Sequence, residues 1–143
     1  MSKVVSMRLP DAQAARLERY ARTLGKSSGE TGAMLVEENL RQAEFAFIEF
    51  RPSPIGRQAY MKGSRLPVWW VIRTDREAFG MDAQKLADHL GRPLPWVQAA
   101  FNYYAAYSDE IEQAISDHGA TSLDALQRAL PGMQVVSVPV DAD

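Results

Sequence analysis

The first 45 residues contain one short β segment followed by two amphipathic helices, and this order limits what the chain can form. Residues 3–9 alternate in polarity, as a strand does. The two predicted faces are Val5, Met7 and Leu9, and Val4, Ser6 and Arg8. A lone strand has two open edges, and about 45 residues is near the lower limit for independent folding. We therefore expect a second copy of the chain to complete this unit by antiparallel strand pairing.

Both helices of this unit have local start and stop signals. Asp11 is the predicted cap of the first helix and Gly25 its stop. Ser27 or Ser28 begins the second helix, which is predicted to continue to about Phe45. The apolar stripe of the first helix consists of Ala14, Leu17, Ala21 and Leu24.

This strand-helix-helix order resembles the ribbon-helix-helix family of dimeric DNA-binding proteins, the Arc and MetJ class. The resemblance covers about residues 3–45 and is carried by Val5-Ser6-Met7-Arg8-Leu9-Pro10, residues 17–24, Gly25-Lys26-Ser27 and residues 35–40. It implies a two-stranded ribbon in the major groove, with alternate side chains facing the bases.

The resemblance assigns DNA contacts to the outer strand face and to the start of the second helix. These residues are Lys3, Val4, Ser6, Arg8, Lys26, Ser27 and Ser28. Arg8 suits guanine, Ser6 donates or accepts, and Val4 suits a thymine methyl group. A helix N-terminus favours phosphate. Two alternatives stay open, namely a dimerisation strand with a solvated outer face, and serines that only cap the helix.

Residues 46–116 are predicted to form a second domain. Residues 51–56 are interpreted as a turn-rich connection, and a small hairpin is predicted around Lys62-Gly63. Helices are predicted over residues 68–76, 82–90, 95–107 and 109–116. A hairpin followed by helix, turn and helix is typical of a winged or helix-turn-helix module.

Over residues 55–112 the chain resembles a domain of unknown function found in some VapB-type antitoxins. The matching features are Gly56-Arg57, Gly63-Ser64-Arg65-Leu66-Pro67-Val68-Trp69, the helix over residues 82–90, Val97, Ala100, Tyr104 and Glu110-Ile111. Members of that family often have Thr where Ser64 stands. The same pairing with an N-terminal ribbon-helix-helix occurs in that family, which favours both assignments.

The second domain offers fewer signs of base recognition. Its helix over residues 95–107 presents Gln98 and Asn102, and neither carries a charge. Three basic residues near the predicted hairpin, Arg57, Lys62 and Arg65, are candidate phosphate contacts. A protein-interaction or dimerisation module is the alternative.

Charge divides the chain into a basic start and an acidic end. Residues 1–26 carry six basic and two acidic residues, whereas residues 107–143 carry one basic and seven acidic residues. Within the C-terminal arm, residues 117–143, a helix is predicted over 122–130 and a strand-like run over 134–140. The antitoxin resemblance implies that this region binds a PIN-like ribonuclease toxin; a self-packed hairpin or a swapped dimer arm is the alternative.

The chain lacks the residues that several classes of function require. The chain has no cysteine and two histidines, which excludes thiolate zinc sites and cysteine nucleophiles. No Ser-nucleophile, P-loop or paired-histidine motif occurs. The acidic group Asp109, Glu110 and Glu112 is interpreted as a charged helix face rather than a magnesium site. We therefore expect no enzyme activity, no metal and no cofactor.

The expected fold is mostly α with a short β ribbon, in three parts: residues 1–45, 46–116 and 117–143. Without a signal peptide or a long apolar run, the protein is expected to be cytoplasmic and not to bind membranes. The expected function is that of a homodimeric, or larger, antitoxin that represses its own operon by binding operator DNA. A stand-alone transcriptional regulator and a scaffold that only oligomerises are the alternatives.

Overall fold

The computed structural model describes residues 1–119, together with residues 128 and 132. Over these residues the protein is mostly helical, with a small two-stranded antiparallel sheet, as the sequence predicts. The elements are α1 (Asp11–Leu24), α2 (Ser28–Glu44), β1 (Ile48–Ser53), β2 (Gly56–Met61), α3 (Val68–Ala78), α4 (Ala83–Leu90), α5 (Leu94–Ala106) and α6 (Ser108–Gly119). The helix and strand predicted over 122–130 and 134–140 lie outside the described residues.

The ends of α1 and α2 follow the predicted signals with one correction. Asp11 is the first residue of α1 and not its cap; Pro10 holds the cap position, without a side-chain hydrogen bond. The carboxylate of Asp11 still lies where the helix dipole favours negative charge. Gly25 ends α1 in the left-handed conformation at φ 66°. Ser27 is the cap of α2, since its Oγ accepts a hydrogen bond from the Glu30 N–H at 3.1 Å.

The larger hairpin lies before the predicted one, and the predicted turn around Lys62-Gly63 is reduced to an isolated antiparallel bridge between Tyr60 and Pro67. Strands β1 and β2 pair from Ile48 with Met61 to Ser53 with Gly56, so the turn lies at residues 54–55. The segment interpreted as a connection is therefore the end of β1, the turn and the first residue of β2. Burial of Ile48 and Met61 against the core selects the register of this hairpin.

Residues 62–67 form the loop that leads from β2 into α3. The buried hydroxyl of Ser64 donates to the Met61 carbonyl at 2.8 Å and accepts from the Leu66 N–H at 3.1 Å. The Met61 N–H donates to the Leu66 carbonyl at 2.9 Å, which closes the loop. The Gly-Ser-Arg-Leu-Pro-Val-Trp string therefore has a structural role in this chain.

The main core lies between the hairpin and helices α3–α6. Asp82 caps α4 and Gly91 ends it, as predicted, and α5 starts after a turn at residues 91–93. Burial of an aliphatic side chain contributes about 1.5–3 kcal/mol, so the side chains buried in this main core supply most of the free energy of folding. The largest fully buried apolar side chains of this core are Met61, Val68, Val71, Ile72, Leu86, Val97, Tyr103 and Ile111.

The N-terminal unit, residues 1–44, has almost no core of its own. Within α1 and α2 the buried residues are Ala21, Thr31 and Glu38. Residues 1–10 have no regular secondary structure and each of them is exposed, so the strand predicted over residues 3–9 does not form in the single chain, and its pairing with a second copy stays a prediction.

Candidate nucleic-acid interface

The predicted ribbon segment, residues 3–9, is exposed and unpaired in the described part of the chain. Val5 and Met7, from the predicted inner face, are 75% and 67% exposed. Leaving such side chains in water costs about 25 cal/mol per Å² of apolar surface. In a single copy of the chain this segment therefore keeps apolar surface in water that a partner could bury.

An apolar groove of about 900 Å³ lies open between this segment, α1 and α2. Met7 and Leu9 border it, which agrees with their prediction as inner-face residues. Arg16 and Arg19 add positive charge to its lining. The apolar side chains contributed by the two helices are Leu17, Tyr20, Leu35 and Val36.

The predicted DNA contacts at the ribbon all reach solvent. Lys3, Val4, Ser6 and Arg8 are exposed, Val4 to 92%. No contact within the described residues explains an exposed valine at this position. The segment therefore presents a row of free side chains on its outer face.

At the start of α2, Lys26 and Ser27 are exposed and Ser28 is half-buried. The hydroxyl of Ser27 acts as the helix cap, so the capping interpretation describes its side chain. Thr31 is the first residue whose N–H bonds to a helix carbonyl, that of Ser27. The N–H groups of Ser28 and Gly29 precede it and have no helical acceptor, which is the arrangement that binds anions.

The three basic residues proposed for the second domain are not equivalent. Lys62 and Arg65 are exposed in the loop after β2. Arg57 instead donates from Nε and Nη2 to Glu38 Oε1, at 2.8 Å and 2.6 Å. Glu38 is buried on α2 and Arg57 lies on β2, so this ion pair joins the N-terminal unit to the hairpin. With these two donors engaged by Glu38, Arg57 is less available to phosphate than the exposed Lys62 and Arg65.

Arg41 on α2 forms a second junction, of which the sequence reveals only the helical pair with Glu37. Its Nη1 donates to the Tyr103 hydroxyl at 2.7 Å and to Glu110 Oε1 at 2.8 Å. The Tyr103 hydroxyl donates to Glu110 Oε2 at 2.6 Å. The Arg41 guanidinium also lies 3.8 Å from the Tyr107 ring centroid, within cation–π range. We name these residues, Arg41, Tyr103, Tyr107 and Glu110, the Arg41 cluster.

Two groups of the Arg41 cluster, the Arg41 guanidinium and the Tyr103 phenol, have raised pKa values. Burial lowers the pKa of Arg41, but hydrogen bonds to Glu110, Glu37 and Tyr103 outweigh it, so the pKa lies above its ordinary value. Burial, with the hydrogen bond to Glu110, raises the pKa of Tyr103. The guanidinium therefore stays charged and the phenol stays neutral across the physiological range.

A parallel cluster lies one residue further along α5. Arg76 on α3 bonds both oxygens of Glu112, and its Nη2 lies 3.1 Å from the Tyr104 hydroxyl. The hydrogen bond from Arg76, and then that from Tyr104, lowers the pKa of Glu112. This Arg76 cluster is more exposed and lies wholly within the second domain.

Asp75 on α3 is fully buried, and neither carboxylate oxygen has a side-chain partner among the described residues. Burial raises its pKa, the backbone of Met81 partly lowers it, and the charge of Asp82 raises it again. The sequence contains the signal for this position, because Asp75 follows Val68, Val71 and Ile72 at helical spacing.

A smaller cavity of about 430 Å³ lies between the end of α2 and the exposed face of α5. Gln98 and Asn102 line it, together with Phe47, which is 44% exposed and has φ 61°. A non-glycine residue in this conformation is uncommon. Both amides face outward from α5, as predicted, and the cavity lining includes no cation.

The described residues contain no cluster of three or more His, Asp or Glu side chains arranged to hold a metal ion. Within the same part of the chain, no helix combines the length and apolar character needed to cross a bilayer.

The chain has been compared with protein-family models, curated proteins and solved structures, and none of the three comparisons gives a match.

Proposed function

We propose that this chain is a dimeric DNA-binding antitoxin whose residues 3–9 pair with the same segment of a second copy. The observation that carries the proposal is the exposed, unpaired ribbon segment beside the open apolar groove. A strand with open edges is completed by pairing with another strand, so two copies of residues 3–9 would each supply the partner that the other lacks. The N-terminal unit would thereby gain the core that a single copy lacks.

A second copy of the chain fits this face because a single two-fold rotation would supply both a strand partner for residues 3–9 and a cover for the apolar groove. In a two-fold dimer the same patch is used twice, so each segment gains a strand partner and each groove gains a cover. Met7 and Leu9 would then face the four helices, and Val4, Ser6 and Arg8 would face away from them. This outer row is the part of the dimer that enters the major groove of operator DNA.

Charge favours DNA as the ligand of that outer row. Residues 1–26 carry six basic and two acidic residues, although the whole chain has a net charge of −2. Lys26 and the free N–H groups at the start of α2 add phosphate contacts. The acidic C-terminal arm, residues 117–143, is the proposed site for a PIN-like ribonuclease toxin, a partner suggested by the antitoxin resemblance. The operon that encodes both proteins is the proposed target of repression.

The dimer is tested with charges placed on opposite faces of one segment. Met7→Asp buries a carboxylate in the proposed interface and is expected to convert the dimer to monomers in sedimentation velocity. Val4→Asp, its matched control, should remain dimeric and lose operator binding through repulsion of phosphate. Equal oligomeric states for the two variants would contradict the assignment of faces.

DNA binding is tested with promoter DNA from the chain's own operon in a gel-shift titration. Arg8→Ala should weaken specific binding by about 1–3 kcal/mol, the usual contribution of a bidentate base contact. Lys85→Ala, at an exposed cation on α4, is the control and should bind as wild type does. Salt-resistant binding that is unaffected by Arg8→Ala would reject the strand assignment.

The toxin is tested by co-expression with the neighbouring gene product, followed by size and mass analysis. A stable complex with a small nuclease supports the antitoxin proposal. DNA binding without any such partner favours the stand-alone regulator. A stable dimer without DNA affinity at low salt favours the oligomerisation scaffold.

A further inference from the structure

Helix α2 belongs to two packed units at once. Its N-terminal half borders the apolar groove through Leu35 and Val36. Its C-terminal half makes the Arg57–Glu38 ion pair and the contacts of Arg41. Phe45, directly after α2, packs edge-on against Tyr103 and Tyr107, with ring centroids 5.4 Å and 5.8 Å away.

We propose that Arg41 is a positioning residue that makes α2 a rigid connector between the N-terminal unit and the second domain. One guanidinium contacts α2 itself, α5 and α6, because it bonds Glu37, Tyr103 and Glu110. Its side chain is 16% exposed, so these bonds are shielded from competing water. Forked donors on a planar group fix both distance and direction, which a lysine at this position would not.

The Arg76 cluster provides an internal comparison. Both clusters join an arginine to a tyrosine of α5 and a glutamate of α6. Arg76 lies on α3, inside the second domain, and its side chain is 44% exposed. Loss of Arg76 should therefore loosen α3 against α6 without changing the relation between the two units. Loss of Arg41 should change that relation.

The consequence for regulation rests on the proposed function, whereas the contacts themselves do not. A protein bound to the second domain would be held at a fixed orientation to the operator, because α2 transmits the position of one unit to the other. Interfaces between domains that are small or polar usually permit relative motion. The Arg41 cluster and the Arg57–Glu38 pair restrict that motion here.

The test is a distance measurement by pulsed electron spin resonance on the full chain. The sequence contains no cysteine, so Ala33→Cys on α2 and Lys85→Cys on α4 provide two unique labelling sites, both exposed. Excess unlabelled chain ensures that each dimer carries one labelled copy. We expect a narrow distribution for wild type and for Arg76→Gln, and a broader or shifted one for Arg41→Gln.

Three outcomes overturn the proposal: a broad wild-type distribution, an unchanged distribution in folded Arg41→Gln, or equal broadening by Arg76→Gln. If Arg41→Gln does not fold, Glu110→Gln keeps the arginine and its pair with Glu37 on α2, removes its charge partner on α6, and should still broaden the distribution. An unchanged distribution there also overturns the proposal. Failure of the gel shift would reject DNA binding and leave these distances unaffected, so the two proposals fail separately.

Discussion

Arg57 on β2 and Glu38 on α2 form a forked ion pair, in which Nε and Nη2 both donate to Oε1. The Glu38 side chain is 8% exposed, and the Arg57 side chain 25%. We expect Arg57→Ala to lower the free energy of unfolding by about 3 kcal/mol, because it leaves the Glu38 charge buried and unpaired. Urea unfolding measures this loss.

The double variant Glu38→Ala with Arg57→Ala separates the ion pair from the surrounding packing. It should lose clearly less stability than the two single variants added together, since no unpaired charge remains. Additive losses would mean that the pair contributes little beyond packing.

Asp75 is expected to destabilise the protein at neutral pH. Its raised pKa means that the native state favours the protonated form. Below the ordinary value of 3.8 the carboxyl is protonated in both the folded and the unfolded chain and costs no stability. The free energy of unfolding then falls as the pH rises above 3.8 and through the folded pKa, because the unfolded chain ionises more readily. Asp75→Asn removes the charge at constant shape and should increase stability by about 1 kcal/mol at pH 7.

The gain from Asp75→Asn should shrink towards pH 3, where the wild-type carboxyl is protonated as well. Thermal unfolding at both pH values tests this. A variant that is less stable than wild type at pH 7 would show that the ionised carboxylate is satisfied in the folded chain.

The pKa of Glu112 is shifted in the opposite direction to that of Asp75, so its effect on stability depends on pH in the opposite way. The hydrogen bond from Arg76 lowers its pKa below the ordinary value of 4.5, so its contribution is present above that value and is lost as the pH falls through the folded pKa. Glu112→Gln should flatten the acid side of the stability profile by less than about 1 kcal/mol, since both side chains are 44% exposed. An acid limb identical to wild type would assign no net role to this ion pair.

Local signals predicted the helices, and long-range packing decided what the sequence could not predict. Asp82 and Gly91 fix the two ends of α4 through a cap and a left-handed stop. The turn signals of residues 51–56 were visible in the sequence, but the pairing of the strands on either side depends on burial of Ile48 and Met61, which no local pattern contains. Arg41 pairs with Tyr103 and Glu110, separated from it by 62 and 69 positions, so helical spacing could indicate only its pair with Glu37.

The candidate interface divides in the same way. Alternation predicted that Val5, Met7 and Leu9 face inward; Met7 and Leu9 border the groove, whereas Val5 does not line it and is 75% exposed. The pairing of Arg57 with Glu38 could not be read from the sequence, because it links residues 19 positions apart in different elements. The DNA contacts themselves stay predictions.

The most direct measurement of the central claim is self-crosslinking through a single cysteine at the middle of the ribbon. The natural chain has no cysteine, so Ser6→Cys places one thiol at the centre of residues 3–9. In the closer, non-hydrogen-bonded antiparallel pairs the Cβ atoms lie about 4.5 Å apart, at the upper end of the range that a disulfide spans. We predict rapid formation of a disulfide-linked dimer under mild oxidation, and none for Lys85→Cys. Absence of crosslinking at residue 6, and also in Val5→Cys and Met7→Cys, would contradict the paired ribbon.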